Sequence, residues 1–221
     1  MRRCALILKV DRKTVARRLR FLGERARLSQ QKYLRGLGEV KHIEFDDLET
    51  IEHTKCKPLS VAMAVETGSR RILGFTVSEM PAKGLLAAKA RAKYGLRKDK
   101  RPEGWNDLFR SLQPVVSPGA RFLSDQNPYY PMYVKKYFPG AVHTTIQGER
   151  GSLGGQGELK KLFYDPLFSL NHSFAMLRAN ICRLIRRTWC TTKKRAALED
   201  HIAIYVDFHN RVLLRELQAQ S

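Results

Sequence analysis

Two apolar, strand-like runs in this sequence end in aspartate: Ile43-Glu44-Phe45-Asp46-Asp47 and Phe122-Leu123-Ser124-Asp125. A carboxylate at the carboxyl end of a strand stands at the rim of a sheet, where α/β proteins bind their ligands. Two such carboxylates on neighbouring strands form an all-oxygen site that suits Mg2+, a hard cation that keeps several of its waters. A pair of such ions about 3.5–4 Å apart activates an attacking oxygen and stabilises a leaving one in phosphodiester chemistry. Either aspartate alone says little; the signal is their joint placement at strand ends. Asp47 competes with Asp46 for the first position, because alternation along a strand sends the two side chains to opposite faces.

The remaining reactive residue types form no comparable set. His42, His143, His172, His201 and His209 have no metal-binding spacing, and His201 and His209 miss the one-turn separation that zinc helices use. Cys4, Cys56, Cys182 and Cys190 are scattered without a C-x-x-C pair, which argues against a zinc site or a disulfide framework. Cys182 and Cys190 are expected on one helix, near its apolar face. The glycine-rich stretch from Gly148 to Gly157 lacks the lysine and spacing of a phosphate-binding loop and reads as a mobile loop. Tyr129 and Tyr130 either stack on a nucleobase or belong to the core. His172 either touches a scissile phosphate or serves as a cap or packing residue.

The elements that must position the aspartates follow from periodicity. His42 to Asp46 alternates as a strand does, and Leu59, Val61, Met63 and Val65 share one face. The turn Thr67-Gly68-Ser69 then leads into a returning strand, Ile72 to Val77. Three antiparallel strands are expected, at 40–47, 59–66 and 71–79. Helices at 83–94 and 105–113 follow, then a strand at 120–125, a helix near 129–137 and a strand at 141–146. Such a βαβ unit joins parallel strands. Asp165 and Pro166 cap a long helix with an apolar stripe of Leu170, Phe174, Leu177, Ile181, Leu184 and Ile185. A final helix spans about 195–217. This order predicts an α/β fold: a ribonuclease-H-like mixed five-stranded sheet flanked by helices. In that fold the first and fourth strands are neighbours, so Asp46 and Asp125 meet.

Charge points to the substrate class. Forty-one Lys and Arg against 21 Asp and Glu leave a formal charge of +20, which favours a polyanionic partner, nucleic acid above all. No run approaches the roughly 20 apolar residues that span a bilayer, and the short apolar run after Arg2 and Arg3 has no signal-peptide cleavage site. A cytoplasmic, nucleoid-associated protein without a membrane partner is expected. Near the N-terminus, Asp11 can cap a helix in which Val15, Leu19 and Leu22 recur on one side, with Arg12, Lys13, Arg17 and Arg18 on the others. The pattern suits the recognition helix of a helix-turn-helix, and equally an ordinary basic amphipathic helix. In the first case Cys4 to Leu8 ends a supporting helix, and more chain is needed upstream. Residues 1–35 are therefore read as a partial helix-turn-helix DNA-binding segment and 36–221 as the catalytic domain. A second basic cluster, Arg183, Arg186, Arg187, Lys193, Lys194 and Arg195, is expected to contact phosphates.

Three runs carry a family resemblance: Phe45-Asp46-Asp47-Leu48-Glu49, Leu123-Ser124-Asp125-Gln126-Asn127-Pro128-Tyr129-Tyr130 and Asn171-His172-Ser173-Phe174-Ala175-Met176-Leu177-Arg178. In this order they resemble DDE transposases of small bacterial insertion sequences, the insertion-sequence-one type, over most of residues 5–210. The stretch Arg186-Arg187-Thr188-Trp189-Cys190-Thr191-Thr192-Lys193 is similar to that family's as well. The resemblance implies Mg2+- or Mn2+-dependent cleavage and strand transfer at insertion-element ends, carried out by a homo-oligomer on element and target DNA. It assigns Asp46, which follows Phe45 directly, as the first catalytic metal ligand and Asp125 as the second. It places Asn171 where the family has its glutamate, with Arg178 two helical turns later on the same face. An asparagine carbonyl can ligate Mg2+ but brings no charge. Three readings stand open: a working Asp-Asp-Asn site, a substitute acid at Glu158 or Asp165, or an inactive enzyme that survives as a DNA-binding remnant or regulator.

Overall fold

The computed structural model describes residues 2–147, 165–184 and 191–215. A short helix, α1 (Arg2–Ile7), and a long one, α2 (Arg12–Arg35), come first, followed by β1 (Val40–Glu52), β2 (Thr54–Glu66) and β3 (Ile72–Glu79). Then come α3 (Leu86–Tyr94), α4 (Arg101–Leu112), β4 (Val116–Ser124), α5 (Tyr130–Tyr137) and β5 (Val142–Thr145). The last third contains α6 (Phe168–Asn180), a 3₁₀ turn (Cys182–Leu184), α7 (Arg195–Phe208) and a π-helical turn (His209–Leu213). The strands form one sheet in the order β3-β2-β1-β4-β5. The β1–β2 and β2–β3 pairs are antiparallel, and the β1–β4 and β4–β5 pairs are parallel. This is the expected ribonuclease-H-like mixed sheet.

Both faces of the sheet are covered. On one, Ile43, Phe45, Ala62, Ala64 and Phe122 pack against Trp105, Leu108 and Phe109 of α4 and Tyr130 and Tyr133 of α5. On the other, Leu59, Val61, Met63 and Val65 meet Leu170, Phe174 and Leu177 of α6 and Leu198, Ile202 and Val206 of α7. The alternation read in β2 therefore sorts as expected. Ala62 and Ala64, between the larger residues, are buried as well, because helices lie on both sides.

Several elements differ from the sequence reading; among them β4 starts earlier, at Val116, and α6 later, at Phe168 after an uncapped Leu167 rather than at Asp165 and Pro166. β1 and β2 are longer than expected and pair out to the turn at His53, whose φ is 65°. Asp46 is consequently not at the end of β1 but in its middle. The polar residues of 46–52 hide a continuing alternation in which Leu48 and Thr50 are buried. The long helix breaks after Asn180, where Ile181 turns to extended backbone (φ −112°, ψ 92°). Ile181 and Leu184 nonetheless stay in the same core as Leu170 and Phe174; Cys182 is exposed, and Ile185 and Cys190 lie outside the described residues. The last helix changes to a π turn after Phe208, where buried Asn210 bonds the backbone N–H and C=O of Ile72 at 3.0 and 2.8 Å. A π turn lets a helix aim one side chain out of its regular series.

Helix α2 starts at the expected cap, with Asp11 accepting from the Lys13 N–H at 2.7 Å, and runs on to Arg35. Its first half is largely exposed. The second half packs into the sheet domain: Leu34 joins the core, Gln30 donates to the Ile72 carbonyl, and Arg27 pairs with Asp200 of α7 at 2.6 Å. The packing depends on Gly23, where an added Cβ would lie 2.6 Å from Asp200 Oδ1. Replacing Gly23 with alanine should therefore destabilise the protein by roughly 1–3 kcal/mol through overpacking, although alanine favours a helix by about 1 kcal/mol. The expected result is a thermal midpoint lower by several degrees; an unchanged or raised midpoint contradicts the packing described.

Candidate active site

The parallel β1–β4 register, with Ile43 beside Phe122 and Glu44 beside Leu123, stops where β4 stops, at Ser124. Continued by one further step beyond Phe45 and Ser124, it sets Asp46 beside Asp125. The carboxylates interact: burial raises the Asp46 carboxyl to about 7, and the Asp125 charge adds to the effect. Hydrogen bonds from the Asp47 N–H and the Tyr130 hydroxyl oppose it. Both donors reach the same oxygen, Asp46 Oδ1, at 2.7 and 2.8 Å. Asp125 is held through its own Oδ1, which accepts from the Asn127 N–H at 3.0 Å in the turn that leads into α5. Each acid is thus anchored by one oxygen.

Asp47 points to the other face of β1, as alternation requires. Its Oδ2 accepts from Ser60 Oγ at 2.6 Å. Burial raises its carboxyl too, the Ser60 hydrogen bond opposes that, and the Glu49 charge adds to it. Asp47 and Asp125 both border a cleft of about 1060 Å³, with Arg101, Lys83 and Tyr129 on its walls. Arg101 is engaged by Asp99 and Lys83 by Glu49. Tyr129 and Tyr130 both border the cleft, Tyr129 with an exposed ring and Tyr130 with its ring buried in the core.

Asn171 stands exposed in the first turn of α6 and donates from Nδ2 to Asp165 Oδ2 at 2.9 Å. Asp165 Oδ1 in turn accepts the Leu167 N–H at 2.9 Å. The start of α6 is tied to the sheet by a residue that the sequence reading passed over, Glu44. Its Oε2 accepts the Leu170 N–H at 2.8 Å, and the residue is 1% exposed. Burial raises its carboxyl, against the hydrogen bond from the Leu170 N–H. Glu44 has the same parity on β1 as Asp46 and buried Leu48. An acid in that phase was the available sign that it serves a helix end. The structure brings Asp46 and Asp125 together; Asn171 is docked by way of Glu44 and bonded to Asp165.

Among the described residues no group of three or more His, Cys, Asp or Glu side chains is arranged to hold a metal ion. The pair fits a hard divalent cation nonetheless: two oxygen donors repel one another in a partly buried place, and a cation there relieves both burial and repulsion. His172 lies against Arg70 at 3.2 Å and the Phe168 ring, which is a packing position.

The expected DNA-contacting residues fall in separate places. Arg12, Lys13, Arg17 and Arg18 are exposed on the first half of α2, and Arg178 is exposed on α6. Arg183 is half-buried in the 3₁₀ turn, and Lys193 and Lys194 are exposed beside the tip of the β1–β2 hairpin, where Lys193 reaches His53. Arg195, counted with the same cluster, is bonded to the Val77 carbonyl and Glu199 at 2.9 Å each. Arg186, Arg187, Glu158 and the glycine-rich stretch lie outside the described residues. No described helix is long and apolar enough to cross a membrane.

No protein-family model matches the chain, and no curated protein is similar to it in sequence. Among solved structures, it is similar to a chain of the simian T-cell lymphotropic virus intasome in complex with the PP2A regulatory subunit B56 gamma. That match has 12% identity over 80% of this chain and a TM-score of 0.42, and the chain spans about half (51%) of the intasome chain. It is also similar to the catalytic domain of the Mos1 mariner transposase, at 11% identity over 90% of this chain and 94% of that one, with a TM-score of 0.31. The fold assignment rests on strand order and pairing.

Asp46 gives a prediction with a definite sign. Its carboxyl is raised by the fold, so its contribution to stability is fully present below the ordinary aspartate value and is lost as pH rises through about 7. In metal-free buffer at pH 8, Asp46→Asn should therefore be more stable than wild type by roughly 2 kcal/mol, a rise on the order of 5 °C in thermal midpoint. The difference should vanish near pH 4. A variant less stable than wild type at pH 8 contradicts the reading.

Proposed function

We propose that this protein is a transposase of the DDE type, acting on the phosphodiester backbone of DNA at insertion-element ends. The observation that carries the reading is the meeting of Asp46 and Asp125 at the end of the β1–β4 pairing. Asp46 and Asp125 would hold divalent metal, Mg2+ or Mn2+, which supplies Lewis-acid activation of the attacking and leaving oxygens when bound. Asn171 is the third site residue; its amide can offer a carbonyl oxygen, with the Asp165 charge one hydrogen bond behind it.

The chain's own residues supply placement and charge. Asp46 and Asp125 would hold the cation at the sheet end and so set where the reacting phosphate sits. Arg12, Lys13, Arg17 and Arg18 form a basic face for the duplex backbone on the exposed first half of α2, which we read as a helix-turn-helix recognition helix within residues 1–35. Arg178, Arg183, Lys193 and Lys194, with Arg186 and Arg187, offer further phosphate contacts. Cleavage by water frees a 3′-hydroxyl, and attack of that hydroxyl on target DNA transfers the strand. Both steps are in-line displacements at phosphorus, so one site serves both in turn. Two ends must be handled together, so the working form is a homo-oligomer on DNA.

A second reading is favoured by one observation: Asn171 brings no charge, and no third acid joins Asp46 and Asp125 among the described residues. On that reading the protein binds DNA without cutting it. The two separate in an assay of Mn2+-dependent cleavage of labelled DNA carrying the neighbouring element's ends. Wild type should cleave and Asp125→Ala should not, with DNA affinity retained. Cleavage by Asn171→Glu alone identifies the non-catalytic binder. Affinity for those ends should also fall steeply with salt, at a log–log slope of roughly −5 for about six phosphate contacts; a flat dependence rules out nucleic acid as the partner.

A further inference from the structure

The segment between Asp125 and α5 ties the two aspartates to one another. Asp125 Oδ1 accepts from the Asn127 N–H at 3.0 Å, Asn127 Oδ1 accepts from the Tyr129 N–H at 3.1 Å, and the Tyr130 N–H returns to the Asn127 carbonyl at 3.1 Å. These bonds wind the chain from the second aspartate directly into the first turn of α5. Tyr130 opens that helix, and its hydroxyl reaches back to Asp46 Oδ1 at 2.8 Å. The ring cannot easily swing away. It is 1% exposed and wedged between Phe45 and Trp105, with ring centroids 5.0 and 4.8 Å away.

We propose that Tyr130 is a positioning residue for the metal site, which it serves by holding Asp46 Oδ1 so that Asp46 Oδ2 is the oxygen turned toward the cation beside Asp125. The Tyr130 hydroxyl and the Asp47 N–H both bind Oδ1, which fixes the plane of the carboxylate and leaves one oxygen of defined direction. Asp125 is arranged alike, with Oδ1 occupied by Asn127. The same six-residue segment therefore sets the orientation of both acids. A carboxylate that is already oriented loses less freedom when it binds a cation, and its hydrogen-bond partners tune that binding. The adjacent Tyr129, exposed at the cleft, takes no part in this arrangement.

The inference rests on the proposed metal-dependent activity, and its test separates the two. Tyr130→Phe removes the hydroxyl and keeps the ring. The Mn2+ concentration for half-maximal DNA cleavage should rise about tenfold, the expected loss for a hydrogen bond to a charged group, while metal-free DNA affinity stays at the wild-type value. Direct Mn2+ titration of the protein without DNA should show the same shift. In an Asp46→Asn background Tyr130→Phe should add nothing to the remaining Mn2+ affinity, because its effect passes through Asp46. A role in core packing alone predicts the opposite: an additive effect in that background, or an unchanged Mn2+ requirement in the single variant, and either overturns the proposal. If Asp125→Ala abolishes Mn2+ binding and Tyr130→Phe leaves it intact, only the role of Tyr130 fails. If wild type binds no Mn2+, the metal-site reading fails and takes this inference with it.

Discussion

The parallel pairing of β1 with β4 is the constraint from which the rest of the molecule follows. Parallel neighbours need a crossover, and here it is supplied by β2, β3, α3 and α4. The crossover has to cover the sheet as it returns, which it does with Trp105, Leu108 and Phe109 against Phe45. Because β1 continues after β4 has stopped, its middle residues lose their partner on that side. Asp46 is the first inward residue past that point. An acid there is neither in the sheet interior nor on an open surface, and this intermediate position gives it its chemistry.

The same position carries a stability penalty. A carboxylate raised to about 7 by burial and by a second acid is held in an unfavourable state at neutral pH. The surrounding structure offsets this with an ordered aromatic cluster around Phe45 and with donors aimed at a single oxygen of each acid. Local unfavourable electrostatics maintained by rigid surroundings is common at functional sites, and it agrees with the proposed cation site.

Much of this was legible in the sequence, and the reasons differ by element. The alternation of Leu59, Val61, Met63 and Val65 reports a face directly, so the strands followed from periodicity, and their order in the sheet from the ribonuclease-H-like sequence of elements. The pairing of Asp46 with Asp125 followed from the apolar runs that each aspartate closes together with the strand order. The extent of β1 was not legible, since Asp46, Asp47, Glu49 and Glu52 look like the end of a strand when the partner strand is unknown. The second half of α2 was hidden for a similar reason. Gly23 and Ala26 read as weak apolar signals, yet small residues are what allow α7 to approach so closely. Glu44 was missed because an acid in an alternating strand is normally assigned to solvent, and only the helix end above it explains its burial.

Glu44 also bears on what Asn171 can do. The start of α6 is pinned to β1 through the Leu170 N–H, one residue before Asn171, by a carboxylate that shares a strand face with Asp46. The bond fixes the helix end irrespective of the side chain at 171, so that side chain sets the local charge without setting the placement of α6. The Asn171 amide donates to Asp165, which turns its carbonyl oxygen away from that acid and leaves the negative charge one bond further from any cation. On the proposed reading, a divalent ion held this way would rely chiefly on Asp46 and Asp125 for charge. The orientation of those two carboxylates then matters more than in a site with three acids, and it is the segment from Asp125 to Tyr130 that sets it.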